Sequence, residues 1–120
     1  MSDISGFLPL REPTFFILLS LSEGDKHGYA ILKDVEALSD GRVQLSTSTL
    51  YEALARLLDQ GLVTKATAVS HKETSSAHPG RPRKFYQLTQ DGQRVVNEEL
   101  IRLQGLVATA QRRLGLSGGG

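Results

Sequence analysis

Near the C-terminus Val96, Leu100, Leu103, Val107, Ala110 and Leu114 recur at steps of four, three, four, three and four residues. That spacing places six apolar side chains on one narrow stripe of a helix, the heptad pattern of a helix lying along another helix. Thr89 caps the start of the segment, and Asp91 falls in the first turn, where a carboxylate complements the positive end of the helix dipole. Part of the stripe can fold back on its own chain. A long seam combined with a first helix that is apolar nearly all round, Phe15 to Leu21, is better explained by a two-fold homodimer. Phe15, Val96, Leu100, Leu103, Val107, Ala110 and Leu114 are therefore the expected dimer interface.

The remaining chain must supply a core against which these helices pack. Residues 1–10 show no clear period, and Glu12-Pro13-Thr14 then starts a helix running to about Ser22. A second helix, about His27 to Ser39, carries Gly28, Ile31, Val35 and Leu38 on one face and is ended by Asp40-Gly41. Val43-Gln44-Leu45 alternates and reads as a small strand. Ser46 caps a third helix to about Gln60, whose core face is Leu50, Ala53, Leu54, Leu57 and Leu58. Residues 62–69 and 84–88 are β-branched or alternating and read as two strands joined by a polar loop that holds Pro79, Gly80 and Pro82. This order gives a mainly α fold with a small β-hairpin wing. It is a winged helix-turn-helix over residues 1–88, a C-terminal dimerisation helix over 89–116 and a flexible tail over 117–120.

Composition narrows the chemistry. At 120 residues, 39% hydrophobic and 22% charged, the chain suits one soluble domain. The absence of cysteine removes disulfides, thiolate metal sites and cysteine nucleophiles. No apolar run is long enough to span a bilayer and residues 1–5 lack a basic leader, so a cytoplasmic protein without a membrane partner is expected. His27, His71 and His78 have no second ligand at helical or strand spacing, and no phosphate loop, nucleophile elbow or paired carboxylates can be found. Neither catalytic residues, metal ligands nor a cofactor are expected.

With a net charge of +1, the placement of charge matters more than its sum. At about 100° per residue the face of the third helix opposite its core carries Ser48, Glu52, Ala55, Arg56 and Asp59, with Thr49 and Tyr51 on its flanks. Ser46, Thr47, Ser48 and Thr49 are small and polar, as the leading end of a helix entering the DNA major groove must be. The same cluster also reads simply as a cap on a solvated helix. Tyr51, at the edge of the buried stripe, can pack its ring and offer its hydroxyl to a phosphate. Arg81, Arg83 and Lys84, with Lys72 nearby, form a basic patch on the wing suited to phosphates or a narrow minor groove.

Three segments resemble the PadR family of bacterial transcriptional regulators: His27-Gly-Tyr-Ala-Ile31, the run from Ser46 to Val63, and the run from Gly80 to Gly92. The resemblance extends over residues 13–114. It implies a homodimer whose recognition helices enter successive major grooves, and it places Tyr29, Ser48, Thr49 and Tyr51 at or near the DNA, with Arg83 and Lys84 on the stem of the wing. Thr47 stands where family members often have proline. The single terminal helix resembles the short subfamily, so phenolic acid sensing does not carry over. Members of that group bind flat, hydrophobic drugs at the dimer interface, which implies a small hydrophobic effector near Phe7, Phe15 and Phe16, although core packing also accounts for these rings.

The function expected is sequence-specific binding of a pseudo-palindromic double-stranded operator by a homodimer, as a repressor released by a small hydrophobic ligand. The DNA-binding set comprises Tyr29, Ser46, Thr47, Ser48, Thr49, Tyr51, Glu52, Arg56, Arg81, Arg83 and Lys84. The alternatives are a winged helix used as a protein-interaction module, against which the basic wing counts, a MarR-like regulator, and a small enzyme with no visible catalytic groups.

Overall fold

In the computed structural model, which describes residues 3–66 and 84–116, four helices pack with a three-stranded sheet. The elements are α1 (Glu12–Leu21), β1 (Lys26–His27), α2 (Gly28–Leu38), α3 (Thr47–Asp59), β2 (Val63–Ala66), β3 (Phe85–Leu88) and α4 (Gln90–Leu114), preceded by a 3-10 turn at Ser5–Phe7. The sheet order is β1-β3-β2, all antiparallel, with Lys65 opposite Tyr86 and His27 opposite Phe85. This is a winged helix-turn-helix with an added C-terminal helix, the wing being built on β2 and β3; their connection, with Arg81, Arg83, His71, His78 and Lys72, lies outside the described residues, as do 117–120.

The helix starts follow from local chemistry. Ser46 and Thr89 take extended backbone angles and accept hydrogen bonds from the amides of Thr49 and Gly92, so each satisfies a donor that the first helical turn leaves open. Gly61 ends α3 at φ 76°, a conformation glycine adopts without steric cost. Its amide donates to the Leu58 carbonyl and that of Leu62 to the Leu57 carbonyl, at 3.1 and 3.0 Å, a paired closure that also turns Leu62 into the core.

One core unites the elements: Ile17, Leu18 and Leu21 of α1, Ile31 and Val35 of α2, Leu50, Leu54 and Leu57 of α3, Leu62, Val63 and Tyr86 from the sheet side, and Val95 and Val96 of α4. The side chain of Ile4 also joins it, from a stretch whose sequence shows no period.

Three expectations are corrected. Val43–Leu45 form no strand, because Ser39 Oγ accepts from the Val43 amide at 2.9 Å and holds the segment in a turn, while Lys26–His27 occupy the edge of β3 instead. Leu38 is exposed, because the buried face of α2 follows the steps Ile31, Val35, Ser39, and Ser39 takes the place assigned to Leu38. Val96 is buried in the core of its own chain, so the uncovered part of the α4 seam begins at Leu100.

Candidate nucleic-acid interface

The amphipathic pattern of α3 buries Leu50, Leu54 and Leu57 and leaves Ser46, Thr47, Ser48, Thr49, Tyr51, Glu52, Ala55, Arg56 and Asp59 in solvent. At its leading end the hydroxyls are ordered among themselves. Ser46 Oγ accepts from the Thr49 amide at 3.1 Å, donates to Thr49 Oγ1 at 2.9 Å and lies 3.3 Å from Ser48 Oγ. Ser46 and Thr49 therefore do act as a cap, yet the four side chains stay on the outer surface, where a small polar ridge can approach another molecule closely. Replacing Ser46 by alanine should lower stability by about 1 kcal/mol in a urea titration; an unchanged midpoint would show that the cap contributes nothing.

Tyr29 projects from the first turn of α2 and is 64% exposed, with the Lys33 ammonium 5.7 Å from its ring centroid. Tyr51 is half-exposed, and its ring and hydroxyl lie against Gly28. Burial pushes the Tyr86 phenol up from its ordinary range, and the neighbouring Tyr51 adds to the effect. His27 caps α2 through Nδ1, which accepts from the Ala30 amide at 3.3 Å, and its ring meets Phe85 edge-on at 5.7 Å. That Nδ1 is thus the unprotonated nitrogen, and among the described residues no group of three or more metal-ligating side chains exists.

Lys84 is exposed immediately before β3, and Lys65 is exposed on the neighbouring strand. Lys33 of α2 and Lys65 of β2, not among the residues singled out from the sequence, are further exposed cations on these elements. Arg56 sits two turns further along the exposed side of α3 and lines a cleft of about 230 Å³ with Phe7, Pro9, Leu10 and Arg11. Ser46, Thr47, Ser48, Thr49, Tyr51 and Tyr29 do share the helix-turn-helix, whose inner faces meet through the common core.

Beyond the core, α4 extends with little cover. Leu100, Val107 and Leu114 are exposed, Leu103 is half-buried, Ala110 is exposed, and Ile101 and Leu106 add apolar surface that the seam did not include. Phe7, Phe15 and Phe16 are half-buried against the core, with Phe15 and Phe16 edge-to-face at 5.9 Å. Among the described residues no helix is long and apolar enough to cross a membrane.

The root of α4 is bound to its own chain by Glu99, which is 2% exposed. Its carboxylate accepts from Arg102 Nε and Nη2 at 2.6 and 2.9 Å and from the Leu10 amide at 3.1 Å. The Arg102 hydrogen bonds hold this carboxyl below its usual range, assisted by the Leu10 amide, against burial, which acts in the opposite sense. Glu99 falls three and four residues after Val96 and Val95, on the buried side of the helix, a spacing that signals this link in the sequence.

Several solved structures share this fold. A transcriptional regulator from Clostridium thermocellum is 24% identical with a TM-score of 0.63, the alignment covering 91% of this chain and 94% of that one. A PadR family transcriptional regulator from Eggerthella lenta is 27% identical with a TM-score of 0.60, over 86% and 84% of the two chains. Bacillus subtilis PadR, solved in complex with operator DNA, is 25% identical with a TM-score of 0.62, over 76% of this chain and 49% of that one. No curated protein matches the chain. The model of the transcriptional regulator PadR-like family matches residues 17–98, from within α1 through the first part of α4, and the chain belongs to that family.

Proposed function

We propose that the protein is a homodimeric repressor of the short PadR type, with one terminal helix per chain, that reads a pseudo-palindromic operator with α3. The observation that carries this reading is the exposed hydroxyl ridge Ser46–Thr49 at the leading end of an α3 whose opposite face is buried. Ser48 and Thr49 approach base edges, Tyr29 and Tyr51 border them, and Lys84 with Arg81 and Arg83 neutralises phosphates from the wing. Residues 1–88 act as the DNA-binding part and 89–116 as the dimerisation helix. Leu100, Leu103, Val107, Ala110 and Leu114 pair across a two-fold axis, extending the apolar surface around Phe15, which sets half-sites about one helical turn apart. A small hydrophobic effector enters beside Phe7, Phe15 and Phe16 and shifts the balance between DNA-competent and incompetent spacings.

Fluorescence anisotropy against a duplex selected from a random pool and against its scrambled counterpart, over a salt series, tests the reading. Tight, salt-sensitive binding that favours the selected duplex is expected. Arg83→Ala should weaken binding to both duplexes and reduce the salt slope by about one. Failure of the wild-type protein to bind any duplex at low salt would transfer the assignment to a protein-interaction module.

A further inference from the structure

Gly28 opens α2, and the hydroxyl end of the Tyr51 ring, from the second turn of α3, lies over its backbone. A β-carbon at Gly28 would stand 2.7 Å from Tyr51 Cζ and closer still to the hydroxyl oxygen, so the contact exists only because position 28 has no side chain. Ile31 and Val35 of α2 share the core with Leu50, Leu54 and Leu57 of α3, and aliphatic packing of this kind is non-directional and tolerates sliding. The rigid end of a ring seated on bare backbone does not. The residue before Gly28 is fixed independently: His27 pairs with Phe85 in the sheet, meets its ring edge-on and caps α2. One spot thus connects β3, the second strand of the wing, to α2 and to α3.

We propose that Gly28 and Tyr51 form a positioning lock that fixes α3 relative to the wing stem, so that Ser48 and Thr49 meet base edges while the wing stays on the backbone. The inference rests on the DNA-binding reading. It assigns Tyr51 a role through its packing on Gly28 rather than through a hydroxyl–phosphate bond, and it makes Gly28 a residue for specificity although it touches no DNA.

The test uses full-length protein and the duplex selected by the wild type, with its scrambled counterpart as reference. Tyr51→Phe keeps the ring over Gly28 and should retain the wild type's preference for the selected over the scrambled duplex to within about two-fold, whatever the loss of the hydroxyl costs on both. Tyr51→Ala and Gly28→Ala should each lose about ten-fold or more on the selected duplex and little on the scrambled one, because base contacts depend on placement and phosphate contacts much less. The double variant should bind the selected duplex no worse than Tyr51→Ala alone, because the added methyl then has no ring to displace. Circular dichroism melts establish that each variant is folded, and if Gly28→Ala is not, the two Tyr51 variants decide. Three results would overturn the proposal: wild-type behaviour of Tyr51→Ala, equal losses for Tyr51→Phe and Tyr51→Ala, or parallel losses of Tyr51→Ala on both duplexes. Failure of the wild type to select any duplex would remove the DNA reading itself, and the lock with it, before any variant is compared.

Discussion

Gly92→Ala is expected to lower stability by about 3 kcal/mol, seen as a fall in Tm of roughly 10 °C or more. The first turn of α4 runs directly over the Leu62 carbonyl, and a β-carbon at Gly92 would overlap that oxygen and stand 2.7 Å from Leu88 Cδ1. The leucine side chain can yield, but the carbonyl cannot. It accepts from the Thr89 amide at 3.1 Å, while Thr89 Oγ1 donates to the adjacent Gly61 carbonyl at 2.7 Å, so a shift of the backbone would break both bonds. Gly105, in the same helix with open space around it, supplies the control. Alanine there should raise stability by about 0.5–1 kcal/mol through helix propensity. Thermal melts of the two variants, side by side, would reject the packing argument if Gly92→Ala melted within a degree or two of the wild type.

Loss of the Glu99 carboxylate has the second large effect. Glu99→Ala should cost about 2 kcal/mol near neutral pH, because it orphans the Leu10 amide and removes both partners of the Arg102 guanidinium. The value stays below that of a fully buried pair because the Arg102 side chain is 34% exposed and water recovers part of its hydration. The pH dependence has a definite sign. Because the folded protein holds this carboxyl below its usual 4.5, the contribution is complete above that pH and declines as pH falls through the lower folded value. Urea titrations should therefore show wild type and Glu99→Gln well separated near neutrality and converging in acid. A separation that is constant with pH would mean that the charge of Glu99 is not what binds Leu10 and Arg102 together.

Much of the fold was legible because local chemistry and tertiary packing agree. Ser46 and Thr89 are caps by residue type, and the buried steps of α3 and of the first half of α4 are those of an amphipathic helix. What escaped depends on partners distant in sequence. Lys26–His27 become a strand only by pairing with Phe85 and Tyr86, and two residues are too few for a periodic signal. Glu99 looks like one more surface carboxylate in a charge-rich helix until Leu10, far away in the chain, supplies its amide. The exposed hydroxyl ridge was legible by a different route, from residue type and helical angle, which say nothing of the cleft that Arg56 lines together with Phe7, Pro9 and Leu10. Nor could it anticipate that Tyr51 rests on Gly28, since that contact joins two helices whose mutual angle no local pattern specifies.

The junction at Gly61, Leu62, Thr89 and Gly92 joins the end of α3 to the beginning of α4 by two hydrogen bonds and a backbone contact. Mechanically it is a weld rather than a hinge. Within one protomer, α3 and the 25-residue α4 then move as a single bracket whose long arm measures about 37 Å. If two such brackets are clamped along their arms, the distance between their reading ends has one soft coordinate, the angle at which the arms cross. A rotation of about 10° at the clamp displaces a tip about 20 Å away by roughly 3 Å, close to the 3.4 Å rise of one base pair. A ligand wedged between the arms would then change the span by a whole base-pair step without touching either reading helix.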